Sequence, residues 1–168
     1  LGDYVTSDGR ARVYPWRYWS PQLFQISDPT LEKPWNLALA TSGNLVDQRF
    51  GTARRRQICH MPLLIDRAGW QIVMEAFAES VDHTRRSRFR SAGNIDPGSL
   101  YLWTSLAEGR AVLEEERASR RVSGYVPLED FWPLTFLSLF QARARHRRWV
   151  NLNDNFGVRP SRVTEWMV

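Results

Sequence analysis

Apolar residues recur at spacings of three and four in several stretches of this chain, and each such stretch predicts a helix. Trp35, Ala38, Leu39, Leu45, Val46 and Phe50 approximate a 3.6-residue period. Pro34 suits the first turn of that helix and Gly51 its stop, while Ser42-Gly43 weakens its middle. Trp70, Val73, Met74, Phe77 and Val81 form a second stripe, which predicts one helix capped by Asp66 and ending near Asp82-His83. Asn94-Ile95-Asp96-Pro97-Gly98-Ser99 reads as a turn into a third helix. Leu100, Trp103, Leu106 and Ala107 give that helix an inward face, and Gly109 ends or kinks it. A hydrophobic segment from Phe131 to Phe140 predicts a further helix with Pro133 in its first turn. Pro160 opens a last short helix with Val163, Trp166 and Met167 on its apolar side.

Strand signals are sparser. The turn Ser7-Asp8-Gly9 precedes a short strand over Ala11-Arg12-Val13-Tyr14. Gln57-Ile58-Cys59-His60 reads as a strand that delivers His60 to its end, and Pro62 holds Met61 extended. Trp149-Val150-Asn151-Leu152 looks like a buried strand, followed directly by Asn153-Asp154-Asn155. Residues 20–33 read as loop. Residues 114–121 read as a solvated loop or exposed helical turn, because Glu114-Glu115-Glu116 and Arg120-Arg121 lie on no clear stripe. Together the elements predict an α/β fold of Rossmann-like character, helix-rich around a small sheet.

Composition narrows the class. A chain of 168 residues with 43% hydrophobic residues buries a real core as one domain or most of one. Aromatic residues at 12%, eight of them tryptophan, argue against disorder. No apolar run reaches the length of a membrane span. Cys59 is the sole cysteine, which rules out an intramolecular disulfide and suits a reducing compartment. Three histidines without any Cys-x-x-Cys argue against a zinc site. The start at Leu1-Gly2-Asp3-Tyr4 is neither an initiator methionine nor a signal peptide, and suggests a piece of a longer chain.

Net charge is +5, carried almost entirely by arginine, since Lys33 is the only lysine. Physically this favours anionic partners: phosphates, sugar nucleotides, nucleic acid or lipid head groups. The arginines cluster at Arg85, Arg86, Arg88 and Arg90. If Arg88-Phe89-Arg90 is extended, both arginines face one side, and a guanidinium fork matches phosphate oxygens. Arg85 and Arg86 read as solvated surface. Pro15-Trp16-Arg17-Tyr18-Trp19 reads as a stacking platform for a sugar or base, or as aromatic packing over a domain edge. Asn44 is a polar residue inside a helix, open to ligand contact or to an ordinary amide role. Asp154 follows a strand, where a carboxylate suits a hard cation, although Asn-Asp-Asn-Phe-Gly is also an ordinary turn.

These residues resemble the Stealth family, hexose-1-phosphotransferases of bacterial capsule synthesis that share a catalytic core with the lysosomal-enzyme N-acetylglucosamine-1-phosphotransferase. The resemblance rests on Ser42-Gly43-Asn44-Leu45 with Phe50-Gly51, and on His60-Met61-Pro62 with Ile65-Asp66. It rests further on Thr84 through Ser91 with Asn94-Ile95 and Ser99-Leu100, and on Leu152-Asn153-Asp154-Asn155. It covers roughly residues 40–110 and 148–168. The family's earlier Val-Asp-Gly-x-Asp and Asn-Asp-Asp strand ends are missing, so residues 1–168 look like the C-terminal portion of such a domain. Asn94 stands where the family often has aspartate.

The resemblance implies transfer of a sugar-1-phosphate from a nucleotide-sugar donor to a hydroxyl of a glycan acceptor, in capsular or exopolysaccharide synthesis. It implies His60 and Arg90 as the active-site pair and Asp154 as ligand of Mg2+ or another divalent cation. Asn44, Arg88, Asn94 and Asn153 become substrate-binding candidates. It implies a cytoplasmic enzyme, or one peripheral to the inner membrane. Two other readings compete: a catalytically degenerate fragment that binds sugar-phosphate or a partner chain, and a basic nucleic-acid-binding module. The last predicts a steep salt dependence, but the chain carries no recognised nucleic-acid-binding motif.

Overall fold

A computed structural model describes residues 2–88, 91–128 and 132–154, the side chains of residues 132 and 154 excepted. The chain divides into two compact units. One comprises the described residues up to Ile58 together with Leu63–Glu114, and the other comprises Cys59–Pro62 and the described residues from Glu115 onward.

The first unit is built around one helix. β1 (Ala11–Val13) and β2 (Pro15–Trp19) lead through loop to α1 (Pro34–Phe50), then to β3 (Arg56–Ile58), α2 (Arg67–Ala76), α3 (Ala78–Arg86), α4 (Pro97–Ala107) and β4 (Ala111–Leu113). α4 is buried continuously from Ser99 to Ser105. A helix that is apolar all round belongs in a core rather than at a surface. α1, α2 and β4 pack on it, and its Leu100, Tyr101, Leu102 and Trp103 share one cluster with Val13, Leu39, Val46, Val73 and Ile95. β1 pairs in parallel with β4, from Ala11↔Ala111 to Val13↔Leu113, and β2 pairs antiparallel with β3. The aromatic run Pro15–Trp19 is therefore strand β2, with Tyr18 and Trp19 exposed. Arg54 and Arg56 each lie 4.5 Å over the Trp19 ring, so part of that aromatic surface is already met by this chain's own cations.

The helix ends follow local chemistry. Asp66 caps α2 by accepting the Gly69 N–H at 2.7 Å, and Asp96 caps α4 by accepting the Ser99 N–H at 3.0 Å. Gly51 stops α1 at φ 92°, a conformation that favours glycine. α1 runs unbroken through Ser42-Gly43, where a weak middle was expected. The single helix expected after Asp66 is two helices, broken at Phe77 (φ −127°, ψ 31°), and the second continues to Arg86. The stripe is still right, since Val73, Phe77 and Val81 are all buried. Periodicity locates a buried face but carries no information about where an axis bends.

The second unit contains α5 (Glu116–Val122), β5 (Ser123–Leu128), α6 (Trp132–Ala144) and β6 (Trp149–Asp154). β5 and β6 are parallel in register from Ser123↔Trp149 to Leu128↔Asp154, with α6 as the crossover. This is the strand–helix–strand unit from which Rossmann-like folds are made. Val126 and Leu128 are buried, and Thr135 of α6, also buried, donates to the Pro127 carbonyl at 3.3 Å. β6 occupies the place expected of it, but it is not a buried strand: Val150 is 42% and Leu152 39% exposed. Both border an open groove against α6. β4 and β5 had no counterpart in the pattern. The class is mixed α/β, as expected, although among the described residues the strands form three two-stranded sheets rather than one small sheet. The helix expected after Pro160 lies outside the described residues.

Asp66 also joins α2 to α4. Its carboxylate accepts from the Tyr101 hydroxyl at 2.8 Å and from Arg110 at 2.7 Å, and its N–H donates to the Tyr101 oxygen at 3.1 Å. A Cβ on Gly69 would lie 2.7 Å from Asp66 Oδ2 and 2.9 Å from Arg110 Nη2. Gly69→Ala is therefore expected to lose about 1–3 kcal/mol in chemical denaturation, although helix propensity alone would give a gain of up to about 1 kcal/mol.

The Gly69 N–H, followed by Tyr101 and Arg110, holds the Asp66 carboxyl below its ordinary value against a smaller opposing effect of burial. A depressed folded-state pKa stabilises fully above the unfolded value of about 3.9 and is lost as pH falls through the folded value. The side chain is half exposed, so the contribution stays at or below about 1 kcal/mol. Asp66→Asn should accordingly be less stable than the parent at pH 5–7, with the gap closing below about pH 4. A gap that widened in acid would refute this assignment.

Candidate active site

Two of the segments singled out in the sequence meet at one hydrogen-bonded junction. Ser42 is fully buried in α1; its hydroxyl donates to the Ala38 carbonyl at 2.8 Å and accepts the Asp96 N–H at 2.8 Å. Thr84 of α3 donates to the Ser80 carbonyl at 2.9 Å and accepts the Ile95 N–H at 3.0 Å. Asn94 is 3% exposed. Its Oδ1 lies 3.0 Å from the Ser87 hydroxyl and 3.2 Å from the Ser91 hydroxyl, both placed to donate to it. The Ser87 hydroxyl has one proton, which it gives either to Asn94 or to the His83 carbonyl, also 3.0 Å away.

The chain thus leaves α3 at Ser87 and is fastened again at Ser91, Asn94 and Ile95. Arg88, exposed, lies just inside that fastening. Arg90, and with it the expected alternation of Arg88, Phe89 and Arg90, lies outside the described residues. Arg85 and Arg86 are exposed as expected, and Arg86 pairs with Asp82 one turn back at 2.6 Å. That pair is solvated and stabilises little.

Asn44 is half buried on α1 and borders a small cavity with Ser20, Asp47, Arg55 and Trp103. The cavity holds about 20 Å³, room for a single water. Arg55 is ion-paired to Asp47 there and donates to the Ala53 carbonyl at 3.0 Å.

His60 belongs to the second unit. It is exposed, two residues beyond β3, and its ring centroid lies 6.0 Å from that of Tyr125 at a tilt of 35°. The Ser123 hydroxyl approaches the His60 carbonyl at 3.4 Å. Its neighbour Cys59 is buried, and burial pushes the thiol up to about 11, so it stays protonated at neutral pH.

Strand alternation places Tyr125 and Pro127 of β5 on one face of the sheet. The register puts Asn151 and Asn153 of β6 on that same face. Val126 and Leu128 take the opposite face with Gly124, which lies against Arg147 at the end of α6. His60 beside Tyr125 and Asn153 at the carboxyl end of β6 therefore share the face away from α6. Two residues along a strand separate their stations, about 7 Å. The backbone of Asp154 ends β6, but its side chain lies outside the described residues. Among the described residues no group of three His, Cys, Asp or Glu side chains is close enough to hold a metal ion.

Sequence reasoning assigned no role to Ser42, Thr84, Ser87 or Ser91, although all four lie in quoted motifs. Hydroxyls at fixed offsets from a buried amide were the available signal. Tyr125 left no signal, because its contact with His60 spans 65 positions that only the fold closes.

Ser42→Ala and Asn94→Ala should each cost about 1–3 kcal/mol, since each leaves a buried polar group without its partner. Asn94→Ala should also speed amide hydrogen exchange across residues 91–95 more than Ser42→Ala does. Equal protection in both variants would show that Asn94 does not fasten this loop.

No family model matches the chain. It is 39% identical over 72 residues to an exopolysaccharide phosphotransferase of Nocardia farcinica, covering 42% of this chain and 14% of the relative. It is 28% identical over 117 residues to an exopolysaccharide phosphotransferase of Streptomyces coelicolor, covering 68% of this chain and 19% of the relative. A second Streptomyces coelicolor protein of that description is 34% identical over 98 residues, 56% of this chain and 16% of the relative. The chain is thus similar in part to curated exopolysaccharide phosphotransferases and spans less than a fifth of the length of each.

Proposed function

We propose that this chain is the C-terminal portion of the catalytic domain of a Stealth-type exopolysaccharide phosphotransferase. In this proposal the enzyme moves a sugar-1-phosphate from a nucleotide-sugar to a hydroxyl of an acceptor glycan, in the cytoplasm or at the inner membrane's periphery. The observation that carries it is the partial similarity to three relatives of one description. The junction joining Ser42 to Asp96 and Thr84 to Ile95 supports it, because motif segments far apart in sequence form one hydrogen-bonded structure.

The acceptor oxygen attacks the phosphorus that carries the sugar. The bond from that phosphorus to the bridging oxygen breaks, and nucleoside monophosphate leaves. His60 takes the acceptor's proton as general base. Arg90 and Arg88 offset phosphate charge through bidentate hydrogen bonds. Asn44 and Asn153 bind substrate, and Asn94 contributes by fastening the loop that carries the arginines. An amide at position 94 accepts from Ser87 and Ser91 as a carboxylate would, so that function survives the loss of the family's usual charge.

Asp154, a carboxylate residue whose backbone ends a parallel strand, is the proposed cation ligand, with Asn153 beside it. Magnesium binds through one or two carboxylates with waters and substrate phosphates, so this donor set fits it. When bound, the ion would neutralise phosphate charge.

The test is a donor screen with full-length protein, magnesium, an acceptor glycan and a panel of nucleotide-sugars, scored by release of nucleoside monophosphate. His60→Ala should lower kcat about 10²–10⁴-fold without moving the thermal midpoint. Unchanged turnover would remove His60 from the mechanism. Release with no donor in the panel, while sugar-phosphate still binds, would establish a degenerate binding protein instead.

A further inference from the structure

Outside the candidate site, the surface most in need of a partner is the outward side of α6. Pro133, Phe136, Leu137, Phe140 and Ala144 stand at i, i+3, i+4, i+7 and i+11, one side of a helix, and all are exposed. Leu137 is 52% and Phe140 69% exposed. The other side of the helix, with Thr135, Leu139 and Ala142 buried or half buried, packs on β5. A helix apolar on both sides is covered on both sides in its working state.

The same element ends in concentrated positive charge: Arg143, Arg145, Arg147 and Arg148, with His146. No Asp or Glu occurs between Asp130 and Asp154. Burial lowers the pKa of Arg147, and the charges of Arg145 and Arg120 push it the same way, so these cations act on one another. An open groove of about 520 Å³ runs between α6 and β6, with Leu139, Ala142, Val150 and Leu152 along it and Arg143 and Arg147 at its rim.

We propose that this face of the second unit docks on an anionic lipid leaflet, its apolar stripe among the acyl chains and its arginines on the headgroup phosphates. Charge selects the occupant. A second copy would set arginine against arginine. A protein partner's interface core is normally depleted of charge, whereas here an apolar stripe adjoins a cluster of cations. Anionic headgroups supply counter-charge in any rotation about the surface normal, and an apolar face flanked by arginine is what interfacial helices present. Spanning is not involved, since the 13 residues of α6 reach about 20 Å. The proposal uses only the second unit and does not depend on the transferase reading.

The experiment is co-sedimentation of the intact protein with phosphatidylcholine vesicles, with and without phosphatidylglycerol at about one part in three. Binding is expected to the anionic vesicles, to be weak without phosphatidylglycerol, and to fall with added salt. Arg143→Gln with Arg145→Gln should weaken it about 25-fold, from roughly fivefold per arginine. Leu137→Glu with Phe140→Glu should weaken it about tenfold or more. Arg85→Gln with Arg86→Gln, in the other unit, should leave it unchanged and so separate a local patch from net charge. Thermal midpoints identify any variant that misfolds, and Phe140→Ser then replaces the glutamate pair. No sedimentation of the intact protein, equal binding to both vesicle types, or indifference to the α6 variants would each overturn the proposal. Binding by the present residues alone, lost in the intact protein, would overturn it too, by showing that another part of the protein covers this face.

Discussion

The Ser42 hydroxyl is the interaction on which the first unit depends. The start of a helix leaves N–H groups without partners inside the helix, and a buried N–H left unmatched costs about 1–3 kcal/mol. The Asp96 side chain satisfies the Ser99 N–H, and the Asp96 N–H itself is met by Ser42, from a helix more than fifty positions away. α4 is buried on every side from Ser99 to Ser105, and α1, α2 and β4 are all laid against it. The expected weak point of α1 at Ser42-Gly43 is therefore a point where α1 is tied to α4. A small polar residue that is mediocre inside an isolated helix becomes the connection between two helices.

The same economy shapes the arginine loop. Neutral hydroxyls and one buried amide fasten it at Thr84, Ser87, Ser91 and Asn94. Asp66 does use a carboxylate, and it takes Arg110 with it. That pair is structural, joining α2 to α4.

In the second unit the parallel crossover does the positioning. It orders two faces of β5 and β6, one against α6 and one carrying Tyr125 and Asn153, with His60 beside Tyr125. The same arrangement leaves α6 with an apolar outer side and an arginine-rich end. Nothing in the proposed transfer chemistry requires either, which is why that surface calls for an explanation of its own.

Chain-local physics was legible in the sequence. Pro34, Gly51, Asp66, Asp96 and Pro133 act at helix ends as their chemistry dictates, and the stripes through Val46, Val73 and Leu100 mark faces that are in fact buried. Side-chain type and spacing decide such features within a turn or two of helix. The tertiary structure alone decided the bend at Phe77, the existence of β4 and β5, and the exposure of Val150 and Leu152. A three-residue strand has too few positions to show a period, and β5, with Gly124 and Pro127 inside it, becomes a strand only because β6 supplies its hydrogen bonds. Asn94 was visible as a polar residue in a motif. Its burial under two serines, and the contact of His60 with Tyr125, arise from chain segments meeting after folding, and no one-dimensional pattern records which segments those will be.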